Sequence, residues 1–146
     1  MKKKLIYFGF VLFSLFFLVG CTKNNLGEES EFGEEVNNLE DVSIELIDDT
    51  YKSEGDTFEL KVINHSEEEV SYGVEYALEY CDGDTWYEVE PNEEPAFILI
   101  LHMLKAGEED IEELNLEFYE PLEAGHYRII RQINNEPLAA EFDVEK

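Results

Sequence analysis

From Val42 onward, apolar and polar residues alternate along short segments of the chain. The longest runs from Val70 to Tyr80, where Val, Tyr or Leu takes every second position and Ser, Gly, Ala or Glu lies between. Leu138 to Val144 has the same pattern. A period of two puts successive side chains on opposite faces of a β-strand. These segments are therefore predicted to be strands with one buried face and one wet face.

Turn residues separate the alternating segments, as at Asp82-Gly83-Asp84 and Asn134-Asn135. Phe97 to Leu101 is apolar throughout and predicts a fully buried strand, whereas Asp110 to Leu116 is also compatible with a short helix. The predicted strands are Val42–Ile47, Thr57–Ile63, Tyr72–Cys81, Thr85–Glu90, Phe97–His102, Ile111–Phe118, Tyr127–Ile133 and Leu138–Val144. Seven or eight short strands without a sustained helix predict an all-β fold, an antiparallel β-sandwich.

Leu122, Gly125 and Tyr127 stand directly before the apolar strand that starts at Arg128. This arrangement is similar to the tyrosine corner of immunoglobulin-like sandwiches, in which the phenol hydrogen-bonds to backbone a few residues upstream. A buried tyrosine needs such a partner. We expect Tyr127 to be buried with its hydroxyl bonded near residues 121–124, and Tyr51 to lie on the surface.

A wider resemblance rests on a set of motifs in fixed order: Val70-Ser71-Tyr72-Gly73, Leu78-Glu79, Asp82-Gly83, Trp86-Tyr87-Glu88-Val89, Leu122, Gly125-His126-Tyr127-Arg128-Ile129 and Ala140-Glu141-Phe142. Residues 41–146 resemble the bacterial immunoglobulin-like domain of Gram-positive lipoproteins and surface proteins. The resemblance implies a sandwich in an extracytoplasmic protein and supplies no catalytic residues. Trp86 is expected in the second strand of a hairpin, with a structural role.

No disulfide is expected to support this sandwich, since Cys81 is the only cysteine after Cys21. The core must then consist of apolar side chains, which are expected to be Phe58, Leu60, Val62, Tyr76, Leu78, Phe97, Leu116, Phe118, Tyr127, Ile129 and Phe142.

The N-terminus combines three lysines, an apolar run and Leu18-Val19-Gly20-Cys21. Such a pattern indicates a secretory signal over residues 1–20. The last four residues resemble the lipobox of bacterial lipoproteins, which implies that the signal is cut before Cys21 and that Cys21 carries the lipid. An ordinary cleaved signal and a short uncleaved anchor are the alternatives.

Residues 21–41 contain six glutamates, little apolar content and no periodicity. They are predicted to be a flexible acidic tether that holds a domain at 42–146 about 25 Å from the bilayer.

Charge restricts the partners. All 36 acidic residues follow residue 20, against seven basic ones (ten minus the three N-terminal lysines), so this part carries a formal charge of −29. Nucleic-acid binding needs a basic stripe, so it is excluded. An anionic bilayer repels such a body. Membrane contact is expected through the lipid on Cys21 alone.

The sequence has few candidates for catalytic or metal-binding residues. His65, His102 and His126 lie in separate segments without metal-ligand spacing, and the sequence has neither a GxSxG nor an HExxH motif. Asp82-Gly83-Asp84 is interpreted as a hairpin turn rather than a calcium loop. Tyr80, Trp86 and Tyr87 are a possible aromatic platform for sugar or peptide. We expect no catalytic residues, no metal and no cofactor.

The sequence therefore predicts a non-enzymatic protein that is lipid-anchored at the cell membrane and faces the extracytoplasmic side. Its Ig-like domain would bind an unknown protein or cell-wall ligand. The alternative is an envelope accessory or sensor lipoprotein that binds a membrane-protein partner.

Overall fold

The computed structural model describes residues 25–146, and the predicted signal and Cys21 lie outside this range. Within it the chain forms eleven strands and no helix. The strands are β1 Leu26–Glu29, β2 Val42–Leu46, β3 Thr50–Lys52, β4 Phe58–Asn64, β5 Val70–Tyr72, β6 Ala77–Asp82, β7 Thr85–Val89, β8 His102–Leu104, β9 Glu109–Leu114, β10 Gly125–Ile133 and β11 Glu136–Glu145.

These strands form two sheets. The larger has the order β1-β7-β6-β10-β11-β3, with β5 paired to both β10 and β8, and the smaller has the order β2-β4-β9. All pairs are antiparallel except β11 with β3. Apolar residues from both sheets form one buried core. The predicted all-β sandwich is confirmed.

The strands with the clearest alternation lie where the sequence predicts them. In β11, Leu138, Ala140, Phe142 and Val144 are buried, whereas Glu141 and Asp143 between them are exposed. Most of the predicted core residues are buried, but Tyr76, Phe97 and Phe118 are only partly so.

The prediction of one continuous strand over Tyr72–Cys81 is wrong. Tyr72 pairs with Ile133 and Ala77 pairs with Ile130. Tyr72 and Ala77 are five positions apart, whereas their partners on β10 are only three positions apart. The two extra residues form a bulge. The bulge turns the carbonyl of Val74 toward Arg131, whose Nη2 donates to it at 3.0 Å.

The prediction of a buried strand over Phe97–His102 is also wrong. Residues 91–101 are irregular, and the strand β8 starts only at His102. Ile98, Leu99, Ile100 and Leu101 are 71, 93, 46 and 66% exposed. The composition favours burial, but within the described residues no strand pairs with this segment.

The segment Ile111–Phe118 is a strand only as far as Leu114, and the alternative helix does not form. Asn115 ends the strand, because its side-chain Oδ1 accepts a hydrogen bond from the amide of Glu117 at 3.0 Å and closes a local turn.

The prediction of a flexible tether up to residue 41 needs correction within residues 25–41. β1 pairs antiparallel with β7, and Leu26 packs against the core. Residues 30–37, here called the strap, then cross the outer face of the larger sheet. The strap is bonded at Ser30 to Trp86 O and at Asn37 to Pro137 O, both at 2.9 Å. Backbone pairing holds a segment whose composition alone indicates disorder.

Tyr51 is buried rather than on the surface, being 3% exposed. Its ring stacks on Phe58 with centroids 3.8 Å apart, and both rings meet Phe142 edge-on. The short strand β3 carries Tyr51 into the core by pairing with the end of β11.

Candidate functional site

The tyrosine corner has the geometry expected of it. Tyr127 is 3% exposed, and its hydroxyl donates to the carbonyl of Glu123 at 2.8 Å. Leu122 is buried, and its amide donates to Ser53 O at 2.8 Å. At Gly125, a Cβ atom would lie 2.5 Å from the Tyr80 ring, so only glycine allows this close approach. Burial raises the pKa of Tyr127, so its hydroxyl stays a donor.

Replacing Tyr127 by phenylalanine should cost about 1–3 kcal/mol of folding stability, because the Glu123 carbonyl loses its partner in a poorly hydrated site. Urea unfolding measures the loss. Tyr87→Phe, a change at a half-buried position on β7, serves as control and should stay within about 0.5 kcal/mol. Equal stability of the Tyr127 variant and the parent protein would contradict a structural role for this hydroxyl.

Trp86 and the neighbouring tyrosines do not form one aromatic platform. Trp86 lies opposite Cys81 in the β6–β7 hairpin, whereas Tyr87 lies opposite Tyr80. Trp86 therefore lies on the outer face and the two tyrosines on the inner face. Trp86 is buried under the guanidinium of Arg128, which lies 4.2 Å from the ring centroid.

A buried ion pair on the outer face was not predicted. Glu79 and Arg128 face each other across β6 and β10, and they are 0 and 1% exposed. Arg128 Nε donates to Glu79 Oε2 at 2.6 Å. The strap closes over the pair: Ser30 Oγ donates to Glu79 Oε1 at 2.6 Å, and Arg128 Nη2 donates to Gly33 O at 2.8 Å.

Alternation alone assigned Glu79 to a wet face. The strap covers that face and excludes water from it. The only feature of the sequence that could have indicated burial of Glu79 is the opposite charge of Arg128. Because both carboxylate oxygens of Glu79 and two nitrogens of Arg128 are hydrogen-bonded, two of these bonds to the strap, this pair fixes the strap to the sheet.

His126 contacts two carboxylates of β11. His126 Nδ1 lies 2.7 Å from Asp143 Oδ1, and its Nε2 lies 2.9 Å from Glu141 Oε2, on the open surface. Burial lowers the pKa of His126, but the two carboxylates outweigh it, so the pKa is raised. Within residues 25–146 no three His, Cys, Asp or Glu residues are placed to hold a metal ion.

Asp82-Gly83-Asp84 is the β6–β7 turn, with Asp82 paired to Thr85 and Gly83 at a φ of 67°. The thiol of Cys81 is free and contacts Gly83 O at 3.3 Å. Burial, followed by the charge of Asp84, raises the pKa of Cys81. A raised pKa disfavours the thiolate, which is the nucleophilic form of cysteine.

The feature that sequence reasoning missed lies at the side of the sandwich, beside the edge strand β9. A cavity of about 430 Å³ opens between β9 and residues 95–100, and its lining includes Val74, Tyr76, Phe97, Ile100, Glu112 and Arg131. The rings of Tyr76 and Phe97 meet edge-on with centroids 5.5 Å apart. We call Ile98–Leu101 the aliphatic segment.

Polar pairs close the inner wall of this cavity. Arg131 is 1% exposed and ion-paired with Glu112 of the facing sheet, and its Nε has no hydrogen-bond partner among the described residues. Burial lowers the pKa of Arg131 to about 10. Nearby, the hydroxyl of Tyr72 donates to Asp110 at 2.8 Å. Both pairs join the larger sheet to β9 of the smaller sheet.

On the other side of the aliphatic segment, Leu101 lines a second cavity of about 460 Å³ together with Phe32 of the strap. Three carboxylates also line it, those of Glu31, Glu75 and Glu88. Burial, followed by the charge of Glu79, raises the pKa of Glu88. The aliphatic segment thus lies between two cavities whose charged lining residues are mostly acidic.

Two sheets over one apolar core, joined by a tyrosine corner, define an immunoglobulin-like β-sandwich. The family model described as a bacterial Ig-like domain matches residues 38–143, and the chain belongs to that family. Its fold is non-catalytic. Within residues 25–146 no helix is long and apolar enough to cross a membrane.

Among solved structures, the chain is similar to the alkylpurine DNA glycosylase AlkC of Pseudomonas fluorescens bound to DNA with an abasic site analog. The TM-score is 0.39 at 14% identity, over 74% of this chain and 31% of that one. It is also similar to the beta-glucosidase of Listeria innocua in complex with gluconolactone, with a TM-score of 0.36 at 18% identity, over 72% of this chain and 16% of that one. The chain thus spans less than a third of either solved chain. No curated protein matches it.

Proposed function

We propose that this chain is a non-enzymatic, lipid-anchored protein of the cell surface that displays its Ig-like domain to a protein or cell-wall ligand. Membership of the bacterial Ig-like family carries the proposal, since that family suggests a surface-displayed binding module. The side of the sandwich beside β9 supports it, because it exposes the aliphatic side chains of residues 98–101.

The anchor is supported by Leu18-Val19-Gly20-Cys21. The first described residue, Asn25, is already bonded to the domain: its side chain donates to Asn92 at 2.7 Å, and its carbonyl accepts from the amide of Glu90 at 2.7 Å. An extended chain spans at most about 3.5 Å per residue, so a lipidated Cys21 would lie within about 14 Å of Asn25. The domain would then rest close to the bilayer rather than about 25 Å away.

Metabolic labelling with a fatty-acid analogue tests the anchor. We expect the parent protein and Cys81→Ala to label and to remain in the membrane fraction, whereas Cys21→Ala loses both properties. Cys81→Ala is the matched control, because it removes the other cysteine of the chain. Continued labelling and membrane retention of Cys21→Ala would show that the anchor is wrong.

The second candidate is an accessory lipoprotein that occupies a membrane-protein partner. The short link between Cys21 and Asn25 favours it, because a domain held near the bilayer reaches proteins in the same membrane first. Recovery of one stoichiometric membrane protein from detergent-solubilised membranes would favour this role. Retention on purified cell wall would favour adhesion.

A further inference from the structure

The aliphatic segment has the composition of a strand, and no strand within residues 25–146 pairs with it. Isoleucine and leucine alternate over its four residues, and Ile belongs to the strong strand formers. The four side chains are between 46 and 93% exposed, in a chain rich in surface charge. Met103, two residues after the segment, and Ile111 on β9 are 55 and 52% exposed. Exposed apolar surface is typical of an interaction site.

A free sheet edge lies next to it. β9 pairs with β4 on one side and is the last strand of its sheet. The unpaired backbone groups of such an edge accept an added strand. The 430 Å³ cavity lies between this edge and the aliphatic segment, lined by Val74, Tyr76 and Ile100. An extended chain along β9 would place every second side chain into that cavity.

The charge of the residues around β9 and the aliphatic segment restricts which partner can bind there. Glu109 and Glu113 are exposed on β9, where Glu109 also lies 3.9 Å from Lys61. Glu112 and Glu113 line the cavity. Glu31, Glu75 and Glu88 line the cavity on the far side of the aliphatic segment. A second copy of this chain would bring another 36 acidic residues and be repelled, and an anionic bilayer would be repelled as well. The complementary partner is basic and apolar.

We propose that β9 and the aliphatic segment form a docking site for an extended segment of a partner protein in which aliphatic residues alternate with Lys or Arg. The segment adds to the edge of β9 as a strand. Its aliphatic side chains enter the cavity, and its basic side chains meet Glu109 and Glu113. This rests on the proposed function as a binding module and names the class of partner.

Synthetic peptides test the site, with the full chain purified in detergent. The probe is an eight-residue peptide of alternating valine and lysine, titrated by fluorescence anisotropy at low and at about 0.5 M salt. An alternating serine and lysine peptide measures plain charge attraction. The valine and lysine peptide with alternate backbone amides N-methylated measures strand pairing, since it lacks half of the donors.

We expect the valine and lysine peptide to bind at least about tenfold more tightly than either comparison peptide. Ile98→Ser and Leu99→Ser should weaken its binding about tenfold, and Glu109→Gln with Glu113→Gln should remove most of its salt dependence. The matched control is Ile47→Ser, because Ile47 is similarly exposed at 45% but follows β2 at the opposite edge of the sheet. It should leave binding unchanged.

Equal binding of all three peptides, or equal binding by the parent protein and Leu99→Ser, would overturn the proposal. Vesicle binding or self-association that Leu99→Ser abolishes would assign the surface to a bilayer or a second copy, and would also overturn it. The labelling of Cys21 is independent of these titrations. If Cys21→Ala still labels but the peptide binds as expected, only the anchor is refuted. If the labelling is as expected but the peptides do not bind, only the docking site is refuted.

Discussion

Replacing Glu79 by alanine should destabilise the folded domain by about 3–5 kcal/mol, because Arg128 would remain buried without its anion. Both side chains are almost fully buried, and Arg128 Nε lies 2.6 Å from Glu79 Oε2. The hydroxyl of Ser30 would lose its acceptor on the same carboxylate. Guanidinium unfolding measures the loss, and limited proteolysis of residues 30–37 reports whether the strap loosens.

Two controls separate the loss of the pair from the loss of a side chain. Glu88→Ala removes the exposed carboxylate directly across the hairpin from Glu79 and should stay within about 0.5 kcal/mol of the parent. The double variant Glu79→Leu with Arg128→Met leaves no lone charge and should regain most of the stability. If Glu79→Ala were as stable as Glu88→Ala, the pair would contribute nothing to holding the strap.

The β-sandwich was predictable because its strands carry their burial pattern locally. In β4, Phe58, Leu60 and Val62 face the core at alternate positions. The same period of two is visible in the amino-acid sequence. The tyrosine corner was predictable for a similar reason. The carbonyl that accepts its hydrogen bond belongs to Glu123, only four positions before Tyr127.

The fastening of the strap was not predictable from alternation. Glu79 occupies a position that is wet in a bare sheet, and only a segment about fifty residues earlier makes it dry. The same contact explains why residues 25–41 were misassigned. Their composition lacks the apolar content of an independent element, but backbone bonds to Trp86 and Pro137 hold them against an existing sheet.

The aliphatic segment was misassigned for the opposite reason. Five consecutive apolar residues from Phe97 to Leu101 indicate burial, but burial requires a neighbour, and β8 provides a pairing partner for β5 only from His102 onward. Local composition indicates that a segment favours burial, but not whether another part of the chain is placed to bury it. Because this segment remains exposed, it is a candidate contact for another protein.

Buried and exposed apolar residues should differ in how much stability they lose on truncation to alanine. Phe58→Ala should cost about 3–5 kcal/mol, since it empties a site at the centre of the core. Phe58 is 0% exposed, stacks on Tyr51 at 3.8 Å and meets Phe142 at 5.3 Å. Those two rings belong to strands in the larger sheet, whereas Phe58 belongs to the smaller one, so the cavity would loosen the contact between sheets.

Leu99→Ala is the matched deletion on the surface, because Leu99 is 93% exposed and packs against little. It should change stability by less than about 0.5 kcal/mol. Urea unfolding of both variants, with the slope checked against the parent, measures the contrast. A loss below about 1 kcal/mol for Phe58→Ala would mean that the three rings do not pack as described. A large loss for Leu99→Ala would mean that the aliphatic segment supports the fold of its own domain, and it would then be unavailable to a partner.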